Sequence, residues 1–392
     1  MKKKLFTIVF IILLIGIIFS CLSFFISNIS RDKISAIYLN ALNSSSNGYG
    51  YDLGRKIKEY HPMASALIVS AEANRYVHMK DKNALRSVIQ NVDWLIGNKD
   101  INDDKIIGWG VPYSWDAFGD GSENSANTEY TITTALVIKS LLDAIDAIDG
   151  SNIIIKLIYK NKKDTYLRVA QEAVDSFIDN KFYTRDSDKT IFFWYSSQPS
   201  DNHFVANCHA MFVGVLQRIS NYSTNKDKQI FYRNLADDGM EYLLRNRIER
   251  DNVWYWNYYP NLKESIENYG VHVTYTIDGL LIYEENNGRL SSKIDRQKIL
   301  NGLNLYIKDG NVLEMFSMPD RDPRLWDLGY FLYVLSKYFP EEKKTIDIVY
   351  REILSRQEEI GFRLYEREDS SFNLVRHNAH VLLGLSEYFW SN

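Results

Sequence analysis

The chain has 392 residues, 45% of them hydrophobic and 14% aromatic, with a formal net charge of −4. That length carries one large domain or two ordinary ones, and the apolar fraction supports a sizeable core. No clustered basic face is present for nucleic acid, and two cysteines, Cys21 and Cys208, exclude a disulfide-built scaffold.

Lys2, Lys3 and Lys4 precede an uncharged run from Leu5 to Ile26. At 1.5 Å per residue such a run crosses a hydrocarbon core of ~30 Å. Residues 1–27 therefore read as a transmembrane signal anchor, with the lysines cytoplasmic and the rest of the chain extracytoplasmic. The alternative is a cleaved signal peptide, which would leave a secreted or periplasmic protein. Residues 28–50 read as a polar juxtamembrane linker, with a short helix expected at Lys33–Ala41.

From residue 51 to 392 helical periodicity dominates. Apolar helices with polar starts are expected near His61, Thr128, His203, Tyr269, Pro323 and His377. Asp201 or Asn202 is the expected cap of the third. Between these lie amphipathic helices at Leu85–Ile96, Tyr166–Ile178, Ile230–Leu244, Ile294–Ile307 and Ile346–Leu354, charged on one face as an outer layer requires. After each comes a loop or short extended segment rich in aromatic or apolar residues: Trp109 to Trp115, Phe192 to Tyr195, Trp254 to Tyr259, Val312 to Phe316 and Phe362 to Tyr365. Outer helix, aromatic segment and inner helix thus recur about six times, as side-by-side hairpins do.

This order resembles the (α/α)6 six-hairpin toroids of glycoside hydrolases, polysaccharide lyases and related uronate-acting enzymes. The resemblance implies an all-α toroid over residues 51–392, preceded by the N-terminal transmembrane helix. It implies a carbohydrate-active function and transfers no catalytic residue, because one fold hosts many chemistries.

In such a toroid the starts of the inner helices converge on one funnel. Six of the seven histidines fall on or beside those starts, and only His78 does not. The loop Gly108 to Tyr130 joins Trp109, Tyr113 and Trp115 to Asp116, Asp120 and Glu129. Aromatic faces stack on sugar C–H faces, while carboxylates accept hydroxyls or act as acid and base. Catalytic candidates are Asp116, Glu129, His203, Tyr269, His272 and Asp327. Substrate-binding candidates are Trp109, Tyr113, Trp115, Asp120, Trp194, Asn202, Asn207, His209, Trp254, Trp256, Tyr275, Arg324 and His377. The bland reading of any one of these histidines is a satisfied core residue or a cap.

Two chemistries compete. Hydrolysis, the leading expectation, needs two carboxylates across the cleft, such as Asp116 with Glu129 or Asp327. Lyase or C5-epimerase chemistry abstracts the proton beside a uronate carboxylate and needs a Tyr or His base with Asn, His or Arg to neutralise the acid group. Asn202-His203 with a later Tyr is similar to the Asn/His/Tyr constellation of toroidal polysaccharide lyases. Arg321 and Arg324 would clamp an anionic substrate. A non-catalytic glycan-binding toroid in capsule or cell-wall assembly is the third reading. The expected partner is a polysaccharide or oligosaccharide, with the membrane met through the N-terminal helix. No cofactor is expected, and no metal, because the Asp-x-Asp spacing does not suit calcium. Phosphate-binding loops, His-Glu-x-x-His, Gly-x-Ser-x-Gly and the Asp-rich motifs of terpene cyclases are absent.

Overall fold

The computed structural model describes residues 36–259, 266–365 and 374–391. The chain divides into two compact units, Met1–Asn40 and Ala41–Asn392. In the first, residues 36–40 are described, and they are helical. The anchor expected over residues 1–27 lies outside the described residues. No helix among the described residues is long and apolar enough to cross a membrane.

The second unit is built from helices in hairpin order. They are α1 (Pro62–Met79), α2 (Lys82–Gly97), α3 (Thr131–Asp149), α4 (Ile153–Asp179), α5 (Ala206–Ser220), α6 (Lys226–Arg245), α7 (Val271–Glu285), α8 (Arg296–Asn304), α9 (Leu325–Tyr338), α10 (Lys343–Ser355) and α11 (Val375–Trp390). The odd-numbered helices pack one on the next, and α11 closes on α1, so six helices form a complete ring. Their composition explains the position: α3 is buried on every side from Thr131 to Leu142, as an apolar helix with no polar face must be. The even-numbered helices lie outside; α2, α4, α6 and α10 each pack against the inner helix before them, whereas α8 packs on the segment Val253–Tyr255.

Two seams of the ring are closed by glycine. A Cβ on Gly279 of α7 would stand 2.3 Å from the Ala210 carbonyl of α5, and one on Gly214 would stand 2.3 Å from the Gly279 oxygen. Between α9 and α11, a Cβ on Gly384 would fall 2.3 Å from the Gly329 oxygen. Side chains at these points would force the helices apart.

Five two-stranded antiparallel ribbons occupy the connections. The pairs are β1 (Tyr49–Gly50) with β2 (Glu59–Tyr60), β3 (Tyr183–Arg185) with β4 (Ile191–Phe193), β5 (Ile248–Arg250) with β6 (Val253–Tyr255), β7 (Asn257–Tyr259) with β8 (Ile266–Glu267), and β9 (Ile307–Lys308) with β10 (Asn311–Val312). The aromatic segments at Phe192 and Trp254 are strands of these ribbons.

Four local expectations change. Helix α4 begins at Ile153, not Tyr166; its first thirteen residues are helical but none of them is buried. Helix α8 stops at Asn304, since Ile307 pairs with Val312. Helix α5 starts at Ala206 with Val205 as its N-cap, so neither Asp201 nor Asn202 caps it; Asp201 instead accepts Ser196 Oγ and Asn124 Nδ2, each at 2.6 Å. The C-terminal end of the expected linker is packed: Ser44 and Ser45 are buried, and Ser44 Oγ donates to Asn378 Oδ1 at 3.0 Å.

Candidate active site

The first turns of all six inner helices line one cavity of about 480 Å³. Met63 comes from α1, Ile132 and Thr133 from α3, Asn207 and Cys208 from α5, and Val271, His272 and Tyr275 from α7. Trp326 of α9 and Arg376 of α11 complete the circle, with Arg324 just before α9. Parallel inner helices therefore aim six N-termini at one space. The N-cap residues of α1, α3, α5 and α11 make no side-chain cap bond, although the first N–H groups of α3 and α11 donate to the Tyr195 and Tyr51 carbonyls; the first N–H of α7 donates to Asp327. The helix dipoles make that end electropositive.

Arginine reinforces this sign. The Arg376 and Arg324 guanidinium carbons lie 5.1 and 5.9 Å from the Trp326 ring centroid. Trp326 is stacked on His377 at 4.7 Å with an interplanar angle of 18°. Behind the wall sits Asp52, fully buried, which binds Arg376 Nη2 at 2.7 Å and accepts the Tyr113 hydroxyl at 2.6 Å. Burial alone would raise the Asp52 carboxyl, but Arg376 and the nearby His377 and His61 hold it well below the usual carboxylate range. Asp52 is thus a positioning residue for two cavity side chains. Among the described lining residues there is no aspartate or glutamate.

Besides the arginines, the titratable lining is tyrosine, His272 and the Cys208 thiol, which burial pushes up. Tyr275 lies 2.5 Å from His380 Nε2. The other ring nitrogen, Nδ1, must carry the proton, because its partner at 2.6 Å is the Arg376 carbonyl. His272 is arranged alike, with Nδ1 donating to the Tyr269 carbonyl at 3.1 Å, which leaves Nε2 with its lone pair. Burial pushes His272 down to about 4 and His380 down to about 3, so both are neutral imidazoles at ordinary pH. Asn207 Oδ1 is buried without a protein hydrogen-bond partner.

Of the sequence-derived candidates, the cavity brings together Tyr113, Trp115, Asn207, Tyr269, His272, Tyr275 and Arg324. His377 stands directly behind, under Trp326. His203 is at the rim, where Phe118 meets it edge-on at 5.1 Å and stacks on Tyr259 at 5.3 Å, holding the Gly108–Tyr130 loop against the mouth. Asn202 is exposed beside it and outside the lining.

The carboxylates are employed elsewhere. Asp116 accepts the backbone N–H of Gly119 at 2.8 Å and of Gly121 at 2.9 Å, closing its own turn. Asp120 is exposed and accepts the Ser122 N–H at 2.9 Å. Glu129 is buried against Gly108 and takes the Ser197 hydroxyl at 2.7 Å; burial raises it to about 7. Asp327 bonds two helix starts at once, accepting Val271 N–H at 2.6 Å and Arg324 N–H at 2.7 Å. Burial and the charge of Glu314 raise it to about 7. Arg321, the other expected clamp, pairs with Glu314.

The remaining aromatics also serve structure. Trp109 Nε1 donates to the Leu95 carbonyl and Trp256 Nε1 to the Leu243 carbonyl, both at 2.9 Å, in the last turns of α2 and α6. Each indole satisfies a carbonyl that a helix C-terminus leaves open. Trp194 Nε1 bonds Thr184 Oγ1 at 2.9 Å across a ribbon, and Trp254 lies under Arg247, outside the ring. His209 is core: Nε2 donates to the Gly239 carbonyl at 2.8 Å, and Nδ1 accepts the Phe193 N–H at 3.2 Å.

No family model and no curated protein matches the sequence. Solved structures do match the fold. The Lin0763 protein of Listeria innocua superposes with a TM-score of 0.62 at 12% identity, over 90% of this chain and 96% of that one. A GH76 α-mannanase of Bacteroides thetaiotaomicron gives 0.59 at 9% identity, covering 91% and 96%. The unsaturated glucuronyl hydrolase of Bacillus sp. GL1 gives 0.54 at 12%, covering 89% and 94%. Sugar epimerases and a polysaccharide lyase also share the architecture. The fold is that of the (α/α)6 toroids. At these identities the likeness extends to the fold, and the chemistry has to be read from the cavity itself.

Proposed function

We propose that this protein is a carbohydrate-active enzyme that abstracts a proton from a uronate residue of a polysaccharide, as a lyase or a C5-epimerase. The observation that carries the reading is the pair Arg324 and Arg376 beside Trp326, in a cavity whose described lining holds tyrosine, histidine and asparagine and no carboxylate. Two arginines and the convergent N-termini of the inner helices suit a sugar carboxylate, and the flat indole suits the ring that bears it. The hydrolytic alternative loses its supports, because Asp116, Glu129 and Asp327 are all engaged in holding loops and helix starts.

In this reading the substrate carboxylate is neutralised between the arginines, which acidifies the adjacent C5–H. The Tyr275 oxygen takes that proton while its own passes to His380 Nε2. The electron pair left on carbon delocalises into the carboxylate, where the guanidinium charge and helix dipoles stabilise it. Return of a proton to the opposite face gives the epimer. Alternatively the C4–O bond breaks, a C4–C5 double bond forms, and the departing oxygen takes the proton that the Tyr275–His380 pair has received from C5. Asn207 Oδ1 offers an acceptor to a substrate hydroxyl.

The uncharged run of residues 5–26 supports an enzyme held at a membrane with its catalytic unit outside the cytoplasm. The test of the chemistry is a panel of neutral and uronate-containing glycans. Products bearing an unsaturated uronate, or an inverted uronate, support the proposal; new reducing ends from neutral glycans alone overturn it.

A further inference from the structure

Helix α4 is 27 residues long, against 16 for α2 and 20 for α6, and its first buried residue is Tyr166. The preceding part projects: Ile153, Ile154, Leu157 and Ile158 are 68%, 64%, 67% and 63% exposed. At helical spacing these four share one face. A projecting helix normally turns polar residues to water, and four large aliphatics together mark a surface built to be covered. The segment from residue 153 to 163 also holds Lys156, Lys160, Lys162 and Lys163 with no acidic residue, on a chain whose net charge is negative. Lys162 and Lys163 root it to Asp93 and Asp149, while Lys156 and Lys160 are exposed.

The arm stands at the end of the ring remote from the cavity. It follows the C-terminus of α3, and Ser151 just before it touches Tyr76 of the last turn of α1, whereas the cavity is formed by the first turns of those helices. Other exposed apolar residues lie at helix ends on the same side: Val77 and Met79 close α1, and Ile230 and Phe231 open α6.

We propose that this arm of α4 lies in the surface of an anionic lipid bilayer, so that the ring stands on the membrane with its cavity facing away. Aliphatics on one face, lysines able to extend their amines upward and Tyr159 between them are the composition of an interfacial helix. The charge selects this occupant over a second copy of the chain, because two such arms face to face would bring the exposed Lys156 and Lys160 amines of both copies, four in all, against an apolar seam with no acidic residue in either segment. The uncharged run of residues 5–26 has the length to cross a bilayer, which would keep the unit near one. The inference is independent of the chemistry in the cavity.

The experiment uses the full chain with Cys21→Ser and Cys208→Ser, so that the introduced cysteine alone is labelled, reconstituted into phosphatidylcholine vesicles with and without phosphatidylglycerol. An environment-sensitive fluorophore is placed at Leu157→Cys or, as control, at Ile360→Cys, which is exposed at the cavity end. The expected result is severalfold quenching of the 157 probe by lipid-borne nitroxide in anionic vesicles. Quenching should fall at least severalfold with Lys156→Glu and Lys160→Glu or in neutral vesicles, and the 360 probe should stay in water. A 157 probe that remains as open to an aqueous quencher in anionic vesicles as in detergent overturns the proposal. So does shielding of that probe already in detergent, with cross-linking between copies through position 157.

Discussion

Tyr275 donates its hydroxyl proton to His380 Nε2 across 2.5 Å, and the second ring nitrogen of that histidine is committed to the Arg376 carbonyl. The same stretch of α11 therefore presents the guanidinium that would hold a substrate carboxylate and the imidazole that would receive a proton. Burial pushes His380 down to about 3, so it is neutral at ordinary pH and its Nε2 accepts the Tyr275 hydroxyl before the substrate arrives. On this geometry Tyr275→Phe should lower kcat by about a hundredfold or more, the ordinary range for loss of a general acid–base group, while KM changes little. Steady-state kinetics with direct binding of the glycan separates the two effects.

Among the described residues Arg324 makes no ion pair within 4.0 Å, and it donates to the Tyr365 hydroxyl at 3.2 Å. Arg324→Gln should therefore spare the fold and weaken the anionic substrate by about 1.5–3 kcal/mol, roughly ten- to a hundredfold in affinity. Carboxyl-reduced glycan should bind both forms alike. A matching loss on the reduced glycan would remove the arginine from carboxylate recognition.

Asp116 closes its own turn, so Asp116→Asn should leave turnover within the same order of magnitude and cost less than about 0.5 kcal/mol of stability. A collapse of turnover would restore the two-carboxylate mechanism.

Glu129 and Asp327 carry a pH signature. Both have folded values raised to about 7, from ordinary values of 4.5 and 3.8. Between the ordinary and the raised value the folded chain holds a proton that the unfolded chain has released, so stability falls as pH rises through that window. Each group contributes a slope of up to about 1.4 kcal/mol per pH unit. Glu129→Gln should remove its share, giving a variant whose denaturant midpoint declines less between pH 5 and about 7.

Gly279→Ala should destabilise by about 1–3 kcal/mol or more, read as a lowered denaturant midpoint, because the new methyl meets the α5 backbone.

The fold was legible because burial writes itself into composition. Inner helices such as α3 are apolar all round, outer helices such as α10 are striped, and the order of the two repeats. The candidate site was only half legible. Tyr269, His272, Tyr275 and Arg324 were visible as polar residues at the starts of apolar helices. Asp52 was not, since it precedes the first inner helix and meets Arg376 only when the ring closes. Trp326 and Arg376 were passed over beside the more conspicuous Asp327 and His377. A cavity acid and a capping acid look alike in a sequence; Asp327, three residues after the N-cap Arg324, has the spacing of a cap. The tryptophans are as ambiguous, with Trp109 and Trp256 bonding helix ends through their indole N–H groups.

The central claim, proton abstraction beside a uronate carboxylate, is tested most directly by solvent exchange. The protein is incubated with a uronate-containing oligosaccharide in deuterium oxide, and the sugar carbons are followed by NMR and mass spectrometry. The account predicts deuterium at C5, or loss of the C5 hydrogen into an unsaturated product, with both abolished in Tyr275→Phe. Cleavage of the glycan with the C5 hydrogen fully retained would contradict it.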